Sequence, residues 1–240
     1  MIRTDEVVGS IMAGLEREAR VSIHDHPIEI EFADGAVTLA GEVPSIAAKK
    51  LALEIAAAVP PVTGVVDRLR VEPSGRREDG AIRDQVISAL AGEPAFDAYS
   101  LRALVKQGME NVRQLELPGR IFEVEVADGV VTLNGSVESL SHKRLAGELA
   151  WWVPGTRDVV NGLDVEPAME DNDDEVVDAL RLVLEKDPLV NASQIRLRCQ
   201  NFVVTLEGAV MAESSRGAAE ADAWYLFGVN RVVNKLVVTG

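Results

Sequence analysis

From Ile28 to Phe32 apolar and acidic residues alternate one for one, Ile28, Ile30 and Phe32 against Glu29 and Glu31, and a period of two is that of a strand with one buried face. Asp34-Gly35 breaks the alternation and suits a two-residue type I′ hairpin turn, whose central residues both take positive φ. Val37-Thr38-Leu39 leads back as a second strand. Beyond Gly41 the period changes: Leu51, Ile55, Ala58 and Val59 recur at the spacing of one helical face, with Ser45 placed as N-cap and Pro60-Pro61 as the stop. Val65 to Val71 then reads as a closing strand, which a strand, helix, strand connection sets parallel to its predecessor. Ahead of the hairpin Val8, Ile11, Met12 and Leu15 mark another helix, with Thr4 as candidate cap. The unit is helix, strand, strand, helix, strand.

The same pattern returns without a gap. Asp34-Gly35 stands against Asp128-Gly129, Thr38-Leu39 against Thr132-Leu133, Gly41 against Gly135, Lys49-Lys50 against Lys143-Arg144, and Leu69 and Val71 against Leu163 and Val165. Leu145, Leu149, Trp152 and Val153 repeat the helical stripe behind Ser139, ending at Pro154-Gly155. A more diverged third copy places Val204-Thr205-Leu206-Glu207-Gly208 and Val232-Val233-Asn234-Lys235-Leu236 in the same roles, with a helix at Val176, Val177, Leu180, Val183 and Leu184 behind the acidic run Asp171 to Glu175. Acidic residues favour a helix N-terminus, so that run reads as capping and solvation. Asn201-Phe202 replaces the Asp-Gly turn, which predicts another turn type or a longer loop there.

Polar linkers set the boundaries at residues 1–74, 79–168 and 171–240. The second copy is longer. Its first helix, on Ile82, Val86, Ala89 and Leu90, ends at Gly92-Glu93-Pro94, and within an insert at about 93–115 Leu101, Leu104, Val105 and Val112 predict an extra helix from Ala98 to Arg113. The expected fold class is α+β: three tandem αββαβ domains, each a three-stranded mixed sheet packed against two helices, with the extra helix in the second.

The D-G-x-V-T-L-x-G turn and strand, the helix and the closing V-V-x-x-L-x-V resemble the BON domain of bacterial osmotically induced and nodulation-related proteins, in three copies that cover the chain. The third also carries Gly228-Val229 before Val232-Val233-Asn234. Gly35, Gly41, Gly129, Gly135, Gly208 and Gly228 are the glycines of that motif. The resemblance implies a non-enzymatic module that attaches to phospholipid surfaces or to other proteins, in the setting of osmotic or envelope stress, without a cofactor.

Charge narrows the partners. With 24 basic and 39 acidic residues the net charge is −15, which repels nucleic-acid phosphates and anionic headgroups at long range unless a basic patch intervenes. Nucleic acid is not expected as a partner. No run approaches the roughly 18 apolar residues of a membrane span, and Met1 to Glu6 lacks the form of a secretory signal. The expected location is the cytoplasm, or the periplasm if a leader has been removed. One cysteine, Cys199, cannot form an internal disulfide.

Candidate chemistry is sparse. Trp151-Trp152 and Trp224-Tyr225 fall at the same end of equivalent helices, as anchors at a lipid or protein interface or as packing between copies. Lys49, Lys50, Lys143 and Arg144 make basic spots able to meet phosphate groups, or to pair with Glu54 and Glu148 within helical reach. Asp222 occupies an apolar-stripe position, where burial without a partner would be costly; an open face there would mark contact with a neighbour. His24 and His26 alternate but lack a third ligand, so no metal is expected, and His142 reads as an exposed helix residue. Cys199 beside Arg196 and Arg198 reads as a packing residue. No nucleophile elbow, phosphate loop or dinucleotide fingerprint is present. Two readings stand: a tandem module binding phospholipid headgroups, and a soluble protein-interaction scaffold.

Overall fold

In the computed structural model, which describes residues 4–115 and 120–240, the alternation after Pro27 forms strand β1 (Ile28–Ala33), hairpinned to β2 (Ala36–Val43). Helix α1 (Thr4–Arg17) precedes them, and α2 (Ile46–Ala57) leads to β3 (Gly64–Val71), which runs parallel to β2. The Ser45 side chain accepts from the Ala48 amide at 3.2 Å, so the serine is the N-cap that the sequence indicates. Val7, Ile11 and Leu15 from α1, Leu51 from α2 and Val37, Leu39 and Leu69 from the sheet form the core. They all lie on one side of the sheet. Its other side carries the polar half of each alternation.

The chain divides into two compact units, Met1–Glu72 and Pro73–Gly240. The second holds the second and third copies together. It contains α3 (Asp79–Gly92), β4 (Ser100–Val105), β5 (Gly108–Arg113), β6 (Ile121–Ala127), β7 (Val130–Val137), α4 (Leu140–Trp151), β8 (Asp158–Asn161) and β9 (Asp164–Val165). The third copy follows as α5 (Asp173–Lys186), β10 (Ile195–Gln200), β11 (Val203–Val210), α6 (Glu213–Tyr225) and β12 (Arg231–Val238). Its sheet has the order β10-β11-β12 and the same pairing as the first copy.

The insert is a hairpin rather than the expected helix. β4 pairs parallel with β6, and β5 pairs antiparallel with β4 at the edge, so the second copy's sheet grows to the order β5-β4-β6-β7-β8. Two causes override the helical spacing of Leu101, Leu104 and Val105. Leu101 and Ala103 point inward at period two, and Gly108, at φ +117, supplies a backbone conformation that a helix lacks. Phe96 and Tyr99 anchor the segment in an aromatic cluster with Phe122, at ring separations of 4.9 and 5.0 Å from it. His142 joins that cluster instead of facing solvent. Its Nδ1 lies 3.1 Å from the Tyr99 hydroxyl, and burial pushes its pKa down.

The third hairpin also departs from expectation. It keeps the two-residue turn, with Asn201 at φ 51° and Phe202 at φ 60°. A phenylalanine in that region is strained, and the first turn of α5 compensates. Asp173 accepts from the amides of Asn201 and Phe202, both at 2.8 Å, and from Cys199 Sγ at 3.2 Å. Asp79 of α3 grips the Asp128-Gly129 turn in the same way, at 3.0 and 2.9 Å. These bonds hold the Asp173 carboxyl below its ordinary pKa, the Phe202 amide first among them. Burial and the same carboxylate push the Cys199 thiol up to about 12, which makes it a poor nucleophile.

The glycine ending each second strand has a steric reason. Gly41 has φ +141, and a Cβ there would lie 2.7 Å from the Pro27 carbonyl oxygen; at Gly135 and Gly208 it would strike the carbonyls of Ile121 and Gln194. The hairpin partners approach too closely for any side chain.

Candidate functional site

Six of the side chains singled out from the sequence, Trp151, Trp152, Tyr225, Lys143, Arg144 and Asp222, meet at one place, the joint between the second and third copies. α4 packs against both α5 and α6. Trp151 stacks on Tyr225 at 5.0 Å between ring centroids and 14° between planes. The Trp152 indole donates to Asp222 Oδ1 at 3.0 Å, and Trp224 is 1% exposed. Arg144, with a side chain 0% exposed, donates from one terminal nitrogen to both Asp171 oxygens at 2.8 and 2.7 Å and from Nε to the Phe227 carbonyl at 2.9 Å. Gly228, at φ +89, leaves room for that guanidinium: a Cβ would lie 3.0 Å from it. Lys143 lies over the Phe227 ring at 4.8 Å, and burial pulls its pKa down.

In the first copy Lys49 is likewise enclosed, its ammonium 3.0 Å from both the Leu69 carbonyl and Asp67. Lys50 is half-buried. The helix cations at Lys49 and Arg144 therefore hold strands and copies together rather than face solvent.

Asp222 is 2% exposed. It sits on the stripe as the sequence indicates, and meets the second copy instead of opening to water. Burial pushes its carboxyl up to about 7, helped by Asp187 and opposed by the Trp152 bond. His24 and His26 lie in the turns before β1, and among the described residues no group of three His, Cys, Asp or Glu side chains is placed to hold a metal ion.

The open side of each sheet differs from copy to copy. In the first, Glu29, Glu31 and Glu42 share the face with Arg68 and Arg70. In the second, Arg102 sits with Glu123, Glu125 and Asn111, and its guanidinium bonds Asn111 at 3.0 Å. The third is basic. Pairing places Arg196 and Arg198 of β10 and Arg231 and Lys235 of β12 on one face, all exposed, with Glu207 the carboxylate of the intervening strand. Glu207 lies 3.9 Å from Arg198 and 3.5 Å from Lys235. Val233, at 36% exposure, and Val237, at 60%, stud the same face. So a chain of charge −15 carries one sheet face with an excess of cations.

The BON domain family model matches residues 5–73, 101–167 and 172–240. The chain belongs to the BON domain family. A curated relative, the osmotically-inducible protein Y of Escherichia coli strain K12, is 28% identical over 164 residues, which cover 65% of this chain and 74% of that protein. Among solved structures, the C-terminal domain of CdsD, a structural protein of the type III secretion system of Chlamydia trachomatis, aligns over 100% of both chains at 16% identity and a TM-score of 0.24. The matched family is not a catalytic one. Among the described residues, no helix is long and apolar enough to cross a membrane.

The basic face of the third BON copy lies on strands, so the helix cations Lys49, Lys50, Lys143 and Arg144 do not signal it. Its signal was present. Arg196 and Arg198, then Arg231 and Lys235, each stand two or four apart on strands, the spacing that puts strand side chains on one face. Each BON copy also has an Asp or Asn in its closing strand that accepts from the amide two residues on: Asp67 at 2.9 Å, Asn161 at 3.4 Å and Asn234 at 3.0 Å.

Proposed function

We propose that this protein is a non-enzymatic attachment module that docks on anionic phospholipid surfaces through the open sheet face of its third BON copy, in the osmotic-stress setting that the name of its E. coli relative suggests. The observation that carries the reading is the grouping of Arg196, Arg198, Arg231 and Lys235 around Val233 and Val237 on one exposed face. These side chains project from one face of a three-stranded sheet, so its cations reach an array of phosphates together. Each contributes about 1 kcal/mol near an anionic leaflet. The acidic remainder is screened beyond a Debye length of about 8 Å at physiological salt, so the local face governs contact once the chain is oriented. The aromatic residues and helix cations of the joint are assigned to holding the copies together, and the lipid contact to the sheet.

Co-sedimentation with vesicles tests this. Binding is expected to phosphatidylglycerol-rich vesicles at low salt, to weaken steeply as salt rises, and to be absent on phosphatidylcholine alone. Equal binding to both vesicles, or none to either, contradicts the reading. In the second case an acidic protein surface becomes the partner to seek.

A further inference from the structure

Three helices of the joint present carboxylates at their C-terminal ends. Glu148 lies in the last turn of α4, Asp187 caps α5, and Asp222 lies in the last turn of α6. Their exposures are 0%, 7% and 2%. A helix C-terminus is the negative end of the macrodipole and favours a cation, so the placement of acids there works against the fold while they are ionised. Asp187 and Glu148 both act on the Asp222 carboxyl, whose Oδ2 is buried and meets no donor among the described residues. An ionised carboxylate only accepts, so two carboxyl groups bond each other only through a proton held by one of them.

The groups facing Asp222 are consistent with this. From α4 come Glu148 and the Trp152 indole N–H, and from the end of α5 comes Asp187. On α6 itself lies Tyr225, whose hydroxyl is pushed up to about 12 by burial, with Glu148 and Asp222 adding to it. Among the described residues, the groups acting on Asp222 are Trp152, Asp187 and Glu148, none of them a cation. Arg144 is engaged by Asp171 and the Phe227 carbonyl, Lys186 by Glu93 at 2.9 Å, and Lys143 lies over Phe227.

We propose that the joint between the second and third copies is a proton-held clasp, closed while the Glu148, Asp187 and Asp222 cluster shares a proton and loosened when that proton leaves. The closed joint keeps Asp222 protonated up to about pH 7, whereas an opened one releases the proton near the ordinary carboxylate value of about 4. The closed state therefore binds more protons between those limits. Its stability falls as pH rises through that window and has lost this contribution above it. His142, pushed down by burial, acts with the opposite sign, so the cluster is read from the difference between wild type and a variant.

Trp151 and Trp152 lie in this joint, on Tyr225 and Asp222, and Trp224 is buried on α6 two residues beyond Asp222, so the emission of the chain's three tryptophans reports on it. Urea unfolding of the full chain is followed by that emission from about pH 5 to about pH 8. The wild-type midpoint is expected to fall across the window relative to Asp222→Asn, and the variant to be the more stable of the two at the alkaline end. A wild-type profile that parallels the variant's overturns the proposal. If Asp222→Asn does not fold, Glu148→Gln is held to the same criterion. Carbon-13 NMR of aspartate carboxyls in the wild type gives an independent reading: one aspartate must titrate near neutral pH, and the absence of any that titrates above about 5 overturns the clasp as well.

Discussion

Arg144→Met is expected to destabilise the Pro73–Gly240 unit by about 3 kcal/mol, because removing one member of a buried charge pair leaves the other without compensation. The guanidinium bridges three parts of the chain: α4 that carries it, Asp171 in the linker, and the Phe227 carbonyl beside the end of α6. Methionine fills part of the volume but donates nothing, so the Phe227 carbonyl and the Asp171 carboxylate lose their partner. Asp171 retains 28% exposure, and water reaching it keeps the cost near the low end of the range for buried pairs. Arg144→Lys is expected to recover only part of the loss, since an ammonium reaches one acceptor where the guanidinium serves two directions. Chemical denaturation followed by tryptophan emission measures both. An unchanged midpoint for Arg144→Met contradicts the assignment of this residue as the pin of the joint.

Reversing two charges on the third sheet has the larger effect on binding. Arg198→Glu with Lys235→Glu removes about 1 kcal/mol for each cation near an anionic surface and adds repulsion of similar size for each new carboxylate. The total of about 4 kcal/mol is a loss of about three orders of magnitude in affinity. Both side chains are well exposed, 65% and 59%, and their pairs with Glu207 are long. Such pairs contribute little to folding, so the variant is expected to melt near wild type. Arg68→Glu with Arg70→Glu, on the matching face of the first copy, serves as the comparison and is expected to leave vesicle binding in place. Equal losses from both variants, in vesicle titrations at low salt, would mean that net charge alone governs attachment.

Much of the architecture can be read from the sequence because the repeat states it twice in register. The Asp-Gly turns, the Ser45 and Ser139 caps and the parallel closing strands each follow from local rules that agree with one another. The insert departs from its local pattern: Leu101, Leu104 and Val105 satisfy a helical spacing while Leu101 and Ala103 satisfy a strand one. What decides between them is tertiary: β6 offers an edge to pair with, and Phe96 and Tyr99 have a pocket against Phe122. The Asn201-Phe202 turn departs from its local pattern for a similar reason. Its strain is offset by Asp173, nearly thirty residues away in sequence, and no local rule contains that carboxylate. Asp222 shows the converse. Its stripe position was legible, but its partners come from two other helices, so its environment emerged only once the copies were packed together. The basic sheet face was hidden by the global charge of −15, which says nothing of how cations are distributed among strands.

If the open sheet of the third copy is the surface that meets the bilayer, an environment-sensitive dye on that sheet reports it most directly. In a Cys199→Ala background, Val233→Cys is labelled with a nitrobenzoxadiazole group and its emission followed as phosphatidylglycerol vesicles are added, beside the equivalent labels at Val66→Cys and Val160→Cys. These three valines occupy matching positions on β3, β8 and β12, each paired with a threonine of the neighbouring strand. The account predicts a blue shift and gain of intensity at position 233 alone. A shift at 66 or 160 with none at 233, while the protein sediments with the vesicles, would contradict it.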